Sequence, residues 1–189
     1  MAALPKARPT PEDYLALDRQ AEEKSEFIDG IIVAMAGGSE PHDLISGNVF
    51  AALRSALRGG CRVYTSNMRV QVHPSGMYVY PDVTVVCGPS RLANDQRDTL
   101  LNPTLVVEVL SPSTERRDRG RKAQLYRALP SLNEYLLIAQ DSPYVERYFR
   151  QANGQWGIAE TDDPHGVVEL ATGPCHLAMA DIYAEIEFS

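Results

Sequence analysis

Two apolar stretches of the chain each contain a single carboxylate, and this is the first pattern that could do chemistry. Asp82 interrupts residues 80–86, and Glu108 interrupts residues 104–110. Strands buried on both faces are nearly continuous apolar runs. A carboxylate within such a run is unfavourable unless a partner or a function compensates for its burial. Antiparallel pairing of the two strands would place Asp82 opposite Glu108, with Cβ atoms roughly 5 Å apart on the same face.

Two carboxylates at this separation repel each other unless a proton or a cation lies between them. Carboxylate oxygens suit Mg²⁺ or Mn²⁺ better than zinc. The sequence therefore predicts that Asp82 and Glu108 bind one of these two ions. The strands alone leave two alternatives open, in which the acids lie at an exposed sheet edge or form salt bridges with nearby arginines.

A lysine on the following helix points towards the same place. The pattern predicts a helix from about Thr114 to Leu129, on which Lys122, Leu125, Tyr126 and Leu129 share one face. The leucines require that face to be buried, so Lys122 points inward, where it needs an acidic partner or a path to solvent. We expect it to lie beside the carboxylates, where it could orient or deprotonate a water or offset phosphate charge.

Four arginines precede this lysine on the same segment. Arg116, Arg117, Arg119 and Arg121 surround Asp118, and they form a basic strip on an otherwise acidic chain. Such a run is most often a solvated helix face. Its position after Glu108 also makes it a candidate for contact with the DNA backbone, and both interpretations remain open.

These residues resemble the Uma-type restriction endonuclease family, which belongs to the PD-(D/E)XK nuclease superfamily. The resemblance spans roughly Thr10 to Arg150 and rests on the following segments: Glu26-Phe27-Ile28-Asp29-Gly30, His42, Pro81-Asp82, Val107-Glu108-Val109-Leu110-Ser111-Pro112-Ser113-Thr114, Asp118, Lys122, Tyr126 and Glu134-Tyr135. It implies a mixed sheet flanked by helices and metal-dependent hydrolysis of DNA.

The resemblance also assigns roles to residues. Asp82 and Glu108 match the family's metal-binding acids, and Glu26 matches an accessory acid. The lysine expected two positions after Glu108 is absent, because Leu110 stands there, and Lys122 matches its relocated position. The remaining matches are accessory candidates: His42, for which a capping or loop role is an equal alternative, and Tyr126.

The surrounding pattern predicts an α/β fold with a central mixed sheet of the restriction-endonuclease type. Asp29-Gly30 between two apolar runs predicts a hairpin. A helix is expected from about Pro41 to Arg58, followed by strands at residues 61–65, 68–73, 79–87 and 104–110. We expect residues 1–9 to form a flexible arm and residues 10–189 to form one domain. Within it, the nuclease core would cover about residues 24–150, and residues 151–189 would add peripheral strands or loops.

Composition limits the functional classes. The chain has 189 residues and a net charge of −7, which argues against a protein that coats nucleic acid over its whole surface. The start of the chain lacks the apolar core of a signal peptide, and no apolar run is long enough to span a membrane. Cys61, Cys87 and Cys175 match no zinc spacing and no disulfide framework, so we expect reduced, buried thiols and a cytoplasmic protein.

The sequence thus favours an Mg²⁺- or Mn²⁺-dependent endonuclease acting on DNA. Double-strand cleavage needs two sites, so a homodimer is a candidate assembly. One alternative is a catalytically silent nuclease fold that binds DNA or another partner. The other is a metal-dependent hydrolase of a small phosphorylated molecule, which would suit the acidic chain.

Overall fold

The structure is a computed structural model that describes residues 8–35, 37–73, 76–93, 95–173 and 175–188, and it confirms the predicted mixed sheet flanked by helices. The helical segments are α1 (Pro11–Asp18), α2 (Glu40–Ala56), α3 (Glu115–Arg117), a π-helical turn (Asp118–Lys122), α4 (Ala123–Ala128) and α5 (Met179–Ile182). The strands are β1 (Ser25–Ile28), β2 (Ile31–Ala34), β3 (Cys61–Thr65), β4 (Arg69–His73), β5 (Met77–Val79), β6 (Val83–Cys87), β7 (Thr99–Leu100), β8 (Leu105–Leu110), β9 (Glu134–Ala139), β10 (Val145–Arg150), β11 (Trp156–Thr161), β12 (Val167–Leu170) and β13 (Cys175–Ala178).

The largest sheet has the order β11-β10-β9-β8-β6-β3 in the part of the chain that is described. Its central strands β8 and β9 run parallel, and β6 pairs with β8 antiparallel. Thr84 lies opposite Val106, so the predicted register is confirmed. This register brings the residue before β6 alongside the end of β8.

The predicted strand from Val79 to Cys87 is wrong, because it is two strands in two sheets. Val79 ends β5, which belongs to a second sheet with the order β2-β1-β5-β4-β7, and β6 begins at Val83. Pro81 lies between them and has no N–H to donate to a sheet ladder. Asp82 therefore stands just before its strand, at the crossing between the two sheets.

One face of the large sheet packs against α2. The helix buries Ile45, Val49 and Leu53, spaced four residues apart on one stripe, against the apolar side chains of β6 and β8. Met179 and Ile182 of α5 are fully buried in the same cluster. Within residues 151–189, which were expected to be peripheral, Val168, Leu170 and Leu177 are buried in the same cluster.

The other face packs against α4 and the second sheet. Val106 and Leu110 of β8 lie in one apolar cluster with Ala123 and Tyr126 of α4. Side chains alternate along a strand, so Glu108 belongs to this same face and points into the space between the sheets.

The predicted helix from Thr114 to Leu129 contains a π-helical turn. Thr114 holds the N-cap position, and its side chain forms no capping hydrogen bond. The Ala123 N–H bonds to the Asp118 carbonyl, one residue further along than in an α-helix. Asp118 and Lys122, at the two ends of the turn, are both buried.

The hairpin predicted at Asp29-Gly30 is confirmed. Asp29 and Gly30 adopt φ angles of 51° and 81° between β1 and β2, as a type I′ hairpin turn requires. Thr10 and Asp13 form a reciprocal capping box at the start of α1. The expected N-terminal arm lies mostly outside the described residues. No helix in the described ranges has the length and apolar character needed to cross a bilayer.

The expectation of three reduced thiols is wrong for two of the cysteines. Cys61 of β3 and Cys87 of β6 face each other across adjacent antiparallel strands and form a disulfide. The spacing of the cysteines did not predict this disulfide. They lie 26 positions apart in the sequence, and the β3–β6 register brings them together. Cys175 is free and buried.

Candidate active site

The predicted site residues meet in a cavity of about 350 Å³ where the two sheets, the start of α2 and the π-helical turn converge. Its acidic and basic lining comprises Glu26, His42, Asp82, Glu108, Arg117, Asp118 and Lys122. A neighbouring groove of about 530 Å³ shares His42 and Asp82 with it. The cavity is thus open towards one side along α2.

Glu108 occupies the buried end of the cavity and is only 5% exposed, which rules out the sheet-edge alternative. Its Oε1 accepts hydrogen bonds from Lys122 Nζ at 3.1 Å and from the Tyr126 hydroxyl at 3.0 Å. Burial raises the pKa of Glu108 well above its ordinary value, although the Lys122 charge acts in the opposite direction. Tyr126 therefore contacts the site through Glu108.

Lys122 reaches this site as predicted, and its ammonium is surrounded by carboxylates. Nζ lies 2.8 Å from Glu26 Oε1, 3.1 Å from Glu108 Oε1 and 3.1 Å from Asp118 Oδ1. Burial lowers the pKa of a lysine, but the three acids outweigh it and raise the pKa of Lys122 well above its ordinary value. Lys122 is therefore a cation at neutral pH and cannot deprotonate a water in this state.

Asp82 is held at the mouth of the cavity by two donors. Its Oδ2 accepts the Val109 N–H at 2.7 Å and lies 3.3 Å from His42 Nε2. The bond to Val109 ties Asp82 to the strand that carries Glu108. Among the described residues, no hydrogen bond uses Asp82 Oδ1 or Glu108 Oε2.

His42 lies in the first turn of α2, and its side chain reaches Asp82. Its backbone N–H donates to Ser39 Oγ at the start of α2, while its imidazole points to Asp82. The hydrogen bond with Asp82 raises the pKa of His42, against the effect of burial. A Cβ at Gly38 would lie 2.9 Å from His42 Nδ1, so the lack of a side chain there makes room for the ring.

The donor set fits a divalent ion held by two carboxylates. Mg²⁺ commonly binds one or two protein carboxylates and completes its shell with water and substrate phosphate. Asp82 Oδ1 and Glu108 Oε2 are the oxygens suited to this. No group of three or more His, Cys, Asp or Glu in the described ranges is arranged around a metal position. The reason is that Glu26 and Asp118 engage Lys122 instead.

The four arginines do not act as one strip. Arg117 lines the cavity with a guanidinium nitrogen 4.0 Å from Glu26 Oε2, and Arg116 is exposed. Arg119 pairs with Glu115 and Glu146, and Arg121 holds both oxygens of Asp29 at 2.6 and 2.7 Å. Arg116 and Arg117 thus remain the stronger candidates for contact with a substrate.

Asp118 is the main site residue to which the sequence assigned no role. It is 1% exposed and lines the cavity beside Lys122. The signal in the sequence was its position four residues before Lys122, which places both on one helix face. The surrounding arginines obscured that signal, because they make Asp118 look like part of a charged surface.

Comparisons with known proteins relate the chain to a family and to a solved structure. A family model described as "Putative restriction endonuclease" (Uma2) matches residues 11–180. Two Synechocystis proteins, each described as uncharacterized, are similar: slr1290 is 40% identical over 152 residues, covering 79% of this chain and 78% of that protein. The other, sll1609, is 36% identical over 165 residues, covering 86% of this chain and 92% of that protein.

A solved structure from Anabaena variabilis, described as "a putative nuclease belonging to DUF820", superposes with a TM-score of 0.75 at 19% identity. The match covers 92% of this chain and 97% of the other. At this identity the likeness establishes the fold, which is the restriction-endonuclease-like fold expected from the sequence. The match of the family model over nearly the whole chain shows that the protein belongs to the Uma2 family.

Proposed function

We propose that the protein is a metal-dependent nuclease that hydrolyses phosphodiester bonds in DNA. The observation that carries the proposal is the convergence of Asp82, Glu108 and Lys122 in one cavity. Membership of a family described as restriction endonucleases and the fold of a DUF820 nuclease support the same class of reaction.

In this proposal Asp82 and Glu108 hold Mg²⁺ or Mn²⁺. A bound ion of this kind polarises the phosphate and lowers the pKa of an attacking water. The Val109 N–H and His42 orient Asp82, so one of its oxygens remains directed to the ion. Burial of Glu108 keeps its second oxygen in the cavity rather than in bulk solvent.

Lys122 takes the place of the lysine that the PD-(D/E)XK pattern would put at position 110. Leu110 is buried in the apolar cluster between β8 and α4, a poor environment for an ammonium group. Lys122 instead brings a permanent positive charge to Glu108 from the helix. Its role is then to stabilise negative charge developing on the phosphate, not to act as a base.

A cleavage assay tests the proposal. Supercoiled plasmid should be nicked or linearised with Mg²⁺ or Mn²⁺ and left intact in EDTA. Asp82→Asn and Glu108→Gln should each abolish cleavage, since each removes one metal-binding charge. Asp181→Asn is the matched control, because it makes the same chemical change at an exposed residue of α5 and should cleave normally.

The same assay separates the rival functions. DNA binding that persists in EDTA, without cleavage under any metal, would mean a catalytically silent binding module. Hydrolysis of small phosphate esters without action on DNA would point to a different substrate.

Cleavage of both strands would also need two active sites, and we propose a homodimer for that reaction. Sedimentation with and without DNA measures the oligomeric state.

A further inference from the structure

Asp118 is a buried acid whose presence the proposed chemistry leaves unexplained. It begins the π-helical turn and is 1% exposed. Its Oδ1 lies 3.1 Å from Lys122 Nζ but makes no hydrogen bond of standard geometry within the described structure. Burial of a carboxylate in this way is costly, so the position requires a compensating role.

Charge balance does not supply that role. Lys122 already pairs with Glu26 and Glu108, and a third carboxylate makes the cluster more negative. Removing one acid from a balanced buried pair leaves an uncompensated charge. Loss of Asp118 would leave no such charge on Lys122, because Glu26 and Glu108 would still pair with it.

The backbone of Asp118 is held in place from outside the helix. The hydroxyl of Tyr135, a fully buried residue of β9, donates to the Asp118 carbonyl at 3.2 Å. The Ala123 N–H bonds to the same carbonyl. The Tyr135 ring packs on Tyr126, whose hydroxyl donates to Glu108. The π-helical turn is therefore anchored to β9, the strand that pairs with the Glu108-bearing β8.

We infer that Asp118 is a positioning residue that acts through Lys122. Three carboxylates surround the ammonium of Lys122 within 3.1 Å. Asp118 attracts Nζ by charge from within the same helical segment and keeps it between Glu26 and Glu108. In its absence, rotation about the long lysine side chain would move the charge away from the reacting phosphate.

A double-mutant cycle tests this inference, with a catalytic readout that rests on the proposed function. Asp118→Asn should lower kcat for plasmid cleavage by about tenfold and leave KM unchanged, since the residue does not touch DNA. In a Lys122→Met background the same change should have no further effect. Independent, multiplicative losses would assign Asp118 a purely structural role and overturn the inference.

Urea unfolding in EDTA provides a readout that needs no activity. Asp118→Asn should raise the urea midpoint more in the Lys122→Met background than in the wild type, because without the ammonium three carboxylates repel one another. Glu115→Gln, which alters an exposed acid on the same segment, should give the same shift in both backgrounds. An equal or smaller rise for Asp118→Asn in the Lys122→Met background would overturn the inference. A wild type that cleaves no DNA would refute the proposed function, while this cycle would still decide the role of Asp118.

Discussion

The two oxygens of Glu108 have different surroundings, and this division defines the site at the scale of residues. Oε1 accepts from Lys122 and Tyr126, whereas Oε2 is left for a ligand within the described structure. Asp82 shows the same difference, because Oδ2 contacts the Val109 N–H and His42 while Oδ1 accepts no hydrogen bond from the described residues. In each carboxylate, one oxygen accepts hydrogen bonds from the protein, and these bonds fix the position of the second oxygen.

This division predicts metal binding that can be measured without any substrate. Mn²⁺ at a concentration about 100 times its Kd should stabilise the wild type by about 2.7 kcal/mol through mass action. Asp82→Asn and Glu108→Gln should each lose this stabilisation, because one anionic ligand is gone. The measurement is a thermal-shift titration in a buffer without chelator. Stabilisation of both variants equal to that of the wild type would show that the ion binds elsewhere.

At the scale of elements, the helical segment and the β1–β2 hairpin are joined across the outside of the site. Arg121 holds both carboxylate oxygens of Asp29, which lie 92 residues away in the chain. The hairpin carries Glu26 and the helical segment carries Lys122, so this exposed pair spans the two elements that meet at the ammonium. Surface pairs contribute little energy, but this one has bidentate geometry.

The arrangement of the arginines predicts unequal effects on DNA binding. Arg117→Ala should weaken binding and reduce the slope of log affinity against log salt by about one unit, as expected for one lost phosphate contact. Arg121→Ala removes the same charge from the same segment but should leave the slope unchanged, because Asp29 already engages that guanidinium. Fluorescence anisotropy in EDTA at several salt concentrations measures both. Equal slopes for wild type and Arg117→Ala would show that Arg117 does not contact a DNA phosphate.

The Arg121–Asp29 pair also predicts a pH dependence of stability. The hydrogen bonds from Arg121 lower the pKa of Asp29 below its usual 3.8. A depressed acid pKa stabilises the fold above the unfolded value, and the contribution is lost as pH falls through the folded value. Asp29→Asn, which tolerates the same left-handed turn, should therefore be less stable than the wild type at neutral pH. The difference should shrink below about pH 4 in urea unfolding. A difference independent of pH would exclude the ion pair as its cause.

At the scale of the whole molecule, the site lies on the seam between two sheets. Glu108 comes from the large sheet, Glu26 from the second sheet, Asp82 from the crossing between them, and Lys122 from the helical segment whose α4 packs against both. The Cys61–Cys87 disulfide joins β3 and β6 at the end of β6 opposite to Asp82. It therefore reinforces the strand that follows Asp82 without contacting the cavity.

This disulfide predicts a stability difference on reduction. Closing a loop across 26 residues should stabilise the fold by about 3 kcal/mol through restriction of the unfolded chain. The variant with Cys61→Ser and Cys87→Ser should lose about this much in urea unfolding. In unfolded, unreduced protein, alkylation should label Cys175 alone. Labelling of all three thiols would show that the bond does not form in solution.

Alternation and helical periodicity act locally, and they determined more of this site than any other signal in the sequence. A period of two in the strands set the β6–β8 register, and spacing of three and four residues turned Lys122 inward. These patterns decide which face of an element a residue occupies. Antiparallel pairing and the inward face of the helix brought Asp82, Glu108 and Lys122 together, and the family resemblance assigned roles to them.

The tertiary structure decided which of these faces meet, because contacts between distant segments depend on how the two sheets pack. Pro81 lies where the chain passes from the second sheet to the large sheet. Asp82 therefore precedes β6, and its side chain accepts a hydrogen bond from Val109 of β8. The π-helical turn and Tyr135 bring Asp118 into the cavity, and Asp29 draws Arg121 away from it. These three contacts join residues 27, 17 and 92 positions apart, which a local pattern in one sequence cannot relate.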